Sequence, residues 1–409
     1  MRLLKALTGF TLGFGLLAST ALAGDLVINS DQSDPAPKKA MEELIAGFEK
    51  ANPDIKVKWN NFDHEGYKAA IRNFLTADPP DVAAWYAGNR MAPYVKAGLF
   101  ADVTDVWKAN GLDDSLKSAA ASMTMDGKKW GVPYTYYQWG VYYNKDVYKK
   151  AGITAEPKTW DEFIANCEKI KAAGADCLTT GTKALWPGAG IFDYLDMRTN
   201  GYEFHMDLTA GKVPWTDPKV KAVFDQWAKV VPYMTANAAA IDWQDAAALL
   251  SQGKAANYVM GNFAVDTFKK GGLTNDTLGF MLFPEITKGL PRAEEAPTDT
   301  FHMTAGAKHK DEAKKFLAYV ASADAQTAMN KTLGQLPVNN KAQVGDDPFI
   351  QAGFKELSSA YALAQFFDRD APADMAKAGM EGFQHFMSNP ADLPAILDSL
   401  EKTRQKVYK

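Results

Sequence analysis

Cysteine is scarce in this chain, with only Cys167 and Cys177 among 409 residues. No histidine and no second cysteine pair stands near them, so the spacing that zinc sites use is missing and no metal or cofactor is expected. Their ten-residue offset puts one on a predicted helix and the other on the strand after it. In an oxidising compartment that spacing fits a disulfide, and two unpaired buried thiols fit it as well. An excess of one charge is also missing. Lys and Arg number 45 against 49 Asp and Glu, for a formal charge of −4, and the signs are interspersed. Without a basic stripe, nucleic acid and anionic membrane are excluded as expected partners. After residue 23 no apolar run is long enough to span a bilayer. Catalytic signatures are equally thin. There is no Gly-x-Ser-x-Gly elbow and no Gly-Lys-Ser/Thr phosphate loop, and Gly188-Ala-Gly190 is too short for a dinucleotide fingerprint. His64-Glu65 opens like a zinc-protease motif, but Lys68 stands where its second histidine is required.

What is present begins with Arg2 and Lys5, an apolar run over 7–21 and the exit Ala21-Leu22-Ala23. That is the anatomy of a secretory signal peptide, residues 1–23, cut after Ala23 and followed by no cysteine to take a lipid. The expected location is therefore the periplasm. About 385 remaining residues exceed what one core usually holds, so two domains are expected. Aromatics make up 12% and tryptophan alone numbers ten. Residues 132–153 pack Tyr134, Tyr136, Tyr137, Trp139, Tyr142, Tyr143 and Tyr148 into one stretch. A buried Tyr or Trp must satisfy a polar tip. The stretch is either costly core or a surface that holds something flat and partly polar.

Around it the pattern alternates. Strands are expected at 25–30, 55–59, 81–87, 177–180, 255–260 and 277–283. Helices are expected at 39–51, 65–76, 89–96, 159–173, 218–230, 242–251, 311–322 and 324–331, with a largely helical tail from Phe349. Thr159 and Glu162 form a capping box. Such alternation implies α/β architecture with mainly parallel sheets, which bind ligands at the carboxyl ends of their strands. Here those ends are residues 29–34, 61–64 and 86–89.

The stretch GKKWGVPYTYYQWGVYYNKDVYKKAGITAEPKTWDEFIANCEKIKAAG resembles the extracellular solute-binding proteins of carbohydrate ABC transporters, the family that includes maltose-binding protein. The matching pieces are residues 131–134, 143–146, 151–153 and 157–162, joined by Pro79-Pro-Asp-Val82, residues 253–258 and Gly261-Asn-Phe263. The resemblance implies an α/β, two-lobed periplasmic-binding-protein (Venus-flytrap) fold with a hinge and a ligand cleft between the lobes. By analogy the first lobe is residues 24–133 plus 285–338 and the second is 134–284 plus 339–409, with crossings near Pro133, Pro284 and Pro337. It further implies a monomer that captures a sugar and delivers it to the permease subunits of an inner-membrane ABC transporter.

A sugar ring needs flat apolar walls and a polar rim. Trp139, just past the expected crossing, with Gln138 beside it, Trp186 in a Gly-rich loop with Gly190, and Trp243 at a helix start are the expected walls. Trp139→Ala or Trp243→Ala is expected to weaken binding with the fold intact. Gln32, Ser33 and Asp34 lie at a helix N-terminus that suits an oxygen-rich ligand, though Ser33 or Asp34 equally serves as the helix cap. Asp63, His64, Tyr86 and Asn89 occupy the next strand ends. Arg369, within Phe366-Phe-Asp-Arg-Asp370, is the charge expected in the cleft, and an ion pair within the fold is the alternative for it. His302 is a further candidate, and Gly261 and Asn262 would let backbone approach closely. A neutral sugar, an anionic sugar and a glycerol-linked phosphodiester all remain open as ligands. A secreted carbohydrate hydrolase is the remote alternative, since any pair of facing carboxylates serves that chemistry.

Overall fold

The computed structural model describes residues 25–408, so the expected signal peptide lies outside the described residues. Along the chain run β1 (Asp25–Ser30), β2 (Lys56–Asn61), β3 (Val82–Tyr86), β4 (Val132–Tyr136), β5 (Trp139–Asn144), β6 (Asp176–Thr179), β7 (Ala255–Gly261), β8 (Leu278–Met281), β9 (Ala293–Glu295), β10 (Thr298–Met303) and β11 (Ala362–Ala364). They form two principal sheets, ordered β2-β1-β3-β10-β4 and β8-β5-β7-β6, with β9 and β11 as a separate parallel pair.

The expectation of mainly parallel sheets is corrected. In the first sheet β1 pairs in parallel with β2 and β3, but β10 runs antiparallel to both β3 and β4. In the second sheet only β6 and β7 are parallel. The reason is connectivity: parallel neighbours need a crossover, and β10 instead enters its sheet from the other half of the molecule.

Each sheet carries its own core. One gathers Leu26, Ile28, Phe48, Tyr67, Trp107, Phe301 and Phe316, the other Tyr142, Tyr194, Trp215, Trp227, Tyr258 and Phe383. Helix Pro35–Ala51 buries Ala40, Met41, Leu44 and Phe48, a stripe at helical spacing. Along the chain, side chains change from one core to the other at three places. Tyr134 still packs in the first core and Tyr137 in the second. Ala293 packs in the second core although it lies beyond Pro284, because residues after Pro284 remain bonded there: Trp160 N–H donates to Glu285 O at 2.8 Å and Thr287 N–H to Arg198 O at 2.9 Å. The return runs between Val338 in the first core and Phe349 in the second.

Residues 187–200 form a second difference. The Gly-rich loop expected around Trp186 is the start of helix Pro187–Asn200, whose residues 187–198 are all buried. A helix buried on every face, with Asp193, Asp196 and Arg198 inside as well as apolar side chains, carries no 3.6-residue apolar stripe, which is why periodicity misses it.

Cys167, on helix Trp160–Ala172, is disulfide-bonded to Cys177 on β6, and both side chains are fully buried. Closing this ten-residue separation restricts the unfolded chain and is worth on the order of 2–3 kcal/mol. Cys167→Ala with Cys177→Ala is expected to lower urea-unfolding stability by about that amount. A loss below about 0.5 kcal/mol would show that the bond does not constrain the unfolded state in this way.

Candidate functional site

A cleft of about 560 Å³ opens between the two cores. From the first side it is lined by Asp31, Gln32, His64, Lys68, Tyr86 and Tyr134, and from the second by Trp139, Trp186, Trp243, Phe263, Phe366 and Arg369. Ser33, Asp34 and Asp63 also line it.

The second side is an aromatic wall. Trp186 and Phe263 are half-buried with ring centroids 6.1 Å apart, and Trp243 meets Phe263 edge-on at 5.5 Å. Trp139 lies behind them. Only 2% of it is exposed, and its ring sits 4.6 Å from Phe366 and 6.1 Å from Trp186. The wall is seated by missing side chains: a Cβ on Gly190 would come 2.5 Å from Trp139, and one on Gly261 would come 2.5 Å from Phe263. These two glycines therefore set the pitch of the wall from behind.

Both sides contribute to a polar floor. Arg369 is almost fully buried, with its guanidinium carbon 4.1 Å over the Tyr86 ring. Its Nη2 donates to the Tyr137 hydroxyl at 3.2 Å and stands 3.0 Å from Asp299 Oδ1, a charge contact without hydrogen-bond geometry. Arg369 Nη1, Trp139 Nε1 and Gln32 Oε1 have no partner within the protein. Gln32 Nε2 donates to Tyr134 Oη at 2.9 Å, which fixes the amide with its oxygen free. His64 Nδ1 lies 2.8 Å from Asp31 Oδ2. Burial opposes the charged form of each, but their hydrogen bond and opposite charges outweigh it. His64 therefore keeps its proton above the ordinary histidine range, and the Asp31 carboxyl sits below the usual carboxylate range. Asp368 is likewise opposed by burial and held low by Lys68, 3.6 Å away, and by Arg90 and Arg369.

Of the two readings for the first loop, Asp34 takes the N-cap position of helix Pro35–Ala51 but makes no side-chain cap bond. Burial instead raises its carboxyl pKa. Asp63 is a true cap, its Oδ1 accepting from Gly66 N at 2.9 Å.

Six expected residues lie outside the cleft lining. His302 is in the first core, stacked 4.2 Å from Phe100 and bonded to Trp130 O and Thr300 Oγ1. Burial pushes its pKa down to about 4, so it is a neutral core histidine. Asn89 donates to Asp370 O, and Asn262 donates to Gly334 O while accepting from Tyr142 Oη at 3.0 Å, so both tie the halves together. Gln138 is buried with its amide on Phe349 O. Gly190 and Gly261 act through the wall they seat.

Sequence reasoning missed Asp31, Lys68, Phe263, Asp299, Phe366 and Asp368. Three of these adjoin expected residues and were legible as neighbours: Asp31 beside Gln32, Phe263 beside Asn262, and Asp368 beside Arg369. Asp299 sits on β10, whose Thr-Asp-Thr start carries no apolar alternation.

The sequence model for bacterial extracellular solute-binding proteins matches residues 32–327. An uncharacterised ABC transporter extracellular-binding protein of Pyrococcus horikoshii is 30% identical over 331 residues, 79% of this chain and 74% of the relative. A Mesorhizobium japonicum protein named "Probable sugar-binding periplasmic protein" is 28% identical over 368 residues, 84% of this chain and 85% of its own length. Among solved structures, the bacterial solute receptor AcbH, described as having an exclusive substrate preference for β-D-galactopyranose, superposes with a TM-score of 0.87. Its identity is 30%, over 94% of this chain and 99% of that one.

Proposed function

This chain belongs to the bacterial extracellular solute-binding proteins, and from that premise we propose that it is the sugar-capturing component of an ABC transporter, working in the periplasm as a monomer. The observation that carries the reading is the cleft itself, with an aromatic wall on one side and unpartnered hydrogen-bonding groups on its floor. Such a site suits a ring with apolar faces and a rim of hydroxyls. We divide the chain into a first lobe of residues 25–136, 297–343 and a second of 137–296, 344–408. Ligand touching both sides favours the closed form, and the closed form is what a permease would recognise.

Among the ligand classes the cleft favours a neutral sugar over an anionic sugar or a phosphodiester. Its cationic groups are already committed: Arg369 to Asp299, His64 to Asp31, Lys68 to Glu65 and Asp368, and Lys270 to Asp266 at 2.6 Å. Asp34, Asp63 and Asp242 add further carboxylates to the lining, so an incoming anion meets net repulsion.

Calorimetric titration of residues 24–409 with neutral and anionic sugars tests this. One-to-one binding of a neutral sugar, recovered intact afterwards, is the expected result. Tight binding of only anionic ligands would overturn the charge argument, and turnover of the sugar would overturn the transport reading. Trp186→Ala and Trp243→Ala are each expected to weaken binding about tenfold, roughly 1.4 kcal/mol, because each removes an exposed part of the wall. Unchanged affinity in both would place the ligand elsewhere.

A further inference from the structure

The turn that carries Phe366, Asp368 and Arg369 into the cleft rests on a buried group of carboxyls that touch no ligand-facing surface. Phe367 N–H donates to Asp193 Oδ2 at 2.8 Å, and Gln365 N–H donates to Asp370 Oδ2 at 3.0 Å. Asp193 comes from helix Pro187–Asn200, and Glu295 comes from the end of β9, where its register partner on β11 is Ala364, just before the turn. Both are fully buried. No donor from another residue reaches Asp193 Oδ1 or either oxygen of Glu295.

Two buried carboxyls with a single donor between them, Phe367 N–H on Asp193 Oδ2, cannot both be charged at low cost. The surroundings offer one partial relief. His205, on helix Tyr202–Thr209, directs Nδ1 to Asp196 Oδ2 at 3.0 Å and leaves Nε2 3.9 Å from Asp193 Oδ1. Burial opposes its charge, but Asp196 and Asp193 push its pKa up to about 9, and that cation lowers Asp193 without overcoming burial. Arg198 and Arg292 are spent on Glu294, at 2.8 and 2.7 Å. Asp370 and Glu294 raise Glu295 further, Asp368 faces Lys68, and Arg369 faces Asp299. Among the described residues no group of His, Cys, Asp and Glu is arranged to hold a metal ion.

We propose that Asp193 and Glu295 hold one proton between them, Glu295 donating to Asp193, and that this proton positions the cleft-lining turn 366–369 from beneath. Asp193 and Glu295 are then positioning residues, since they act on the ligand through Phe366 and Arg369. The inference rests on the sugar-binding reading for its effect on affinity, and on the burial and missing donors of these carboxyls beneath the turn for its effect on the turn. Burial is the first cause that raises both carboxyls above the usual range. The charge and hydrogen bond of Asp193 raise Glu295 further, whereas the hydrogen bond from Glu295 draws Asp193 part of the way back, as expected when Glu295 is the donor. The folded state therefore binds this proton more tightly than the unfolded chain. Raising the pH through the folded-state range removes it, and stability and turn order fall together.

The test is hydrogen exchange of peptides spanning the turn, in the mature chain, from about pH 6 to about pH 9 and corrected for the intrinsic pH dependence of exchange. Protection of the Phe367 amide is expected to fall at least about tenfold across that range in the wild type. Glu295→Gln supplies a permanent N–H to Asp193 and is expected to keep protection flat. Asp193→Asn, which still accepts from Phe367 and donates to Glu295, is the second variant should the first fail to fold. A wild-type profile in either folded variant would overturn the proposal, as would a flat profile in the wild type. D-galactose titrated in parallel separates the two readings. Binding that weakens with pH in the wild type and holds in Glu295→Gln supports the positioning role. Absence of binding at every pH weighs against the sugar reading and leaves the exchange result decisive for the turn.

Discussion

Arg369→Met is expected to weaken ligand binding about 100-fold or more, close to 3 kcal/mol, the largest effect of any single change in the cleft. The side chain is almost fully buried, stacks on Tyr86, donates to Tyr137 and faces Asp299. Truncating it removes the unpartnered Nη1 that a hydroxyl can use, and strands Asp299 in a largely buried place without its cation. Burial already raises the Asp299 carboxyl against the pull of Arg369, so without that pull it takes up a proton more readily, turning one oxygen into a donor and weakening it as an acceptor. Arg369→Lys keeps the charge but loses the planar fork and the flat stack, so it falls between the two. Calorimetry on each variant, with a thermal melt to show that the fold survives, decides the matter. An unaltered dissociation constant in a folded Arg369→Met protein would remove Arg369 from the site.

Trp139→Ala is expected to cost about 3–5 kcal/mol of folding stability, the range for deleting a large buried ring. This revises the expectation that the change spares the fold. Trp139 is 2% exposed and touches Phe366, Trp186 and Phe263 at once. Its loss opens a void behind the wall as well as altering its face. Urea unfolding measures the cost. A change below about 1 kcal/mol would mean that the surrounding rings collapse into the space. Trp186→Ala is the contrast, since that ring is half-buried and its loss falls mainly on affinity.

How much was legible follows the physics of each element. Helices Pro35–Ala51, His64–Ala77 and Pro218–Val230 each bury one face, and their stripes gave them away. The capping box at Thr159 and Glu162 is realised. Helix Pro187–Asn200 was unreadable because burial on all sides erases the stripe. The crossings expected near Pro133, Pro284 and Pro337 came from analogy with the family, whereas a passage is decided by which core the next side chain joins. In the site, Tyr and Trp were legible as surplus aromatics, but which ring faces outward was not. Trp139 and Trp186 look alike in sequence and differ in depth. Asn89, Asn262 and His302 were read as ligand contacts from their places at strand ends and beside aromatics, yet their polar atoms are spent on distant carbonyls and a core hydroxyl.

The two glycines behind the aromatic wall bear on how such a receptor changes its preferences. Neither Gly190 nor Gly261 lines the cleft, yet a single methyl at either would press on Trp139 or Phe263 and tilt the surface that faces it. Cleft shape is thus inherited partly through positions a contact list leaves out. A lineage can drift to a new sugar without touching one residue of the lining, and two receptors with identical linings can still discriminate differently.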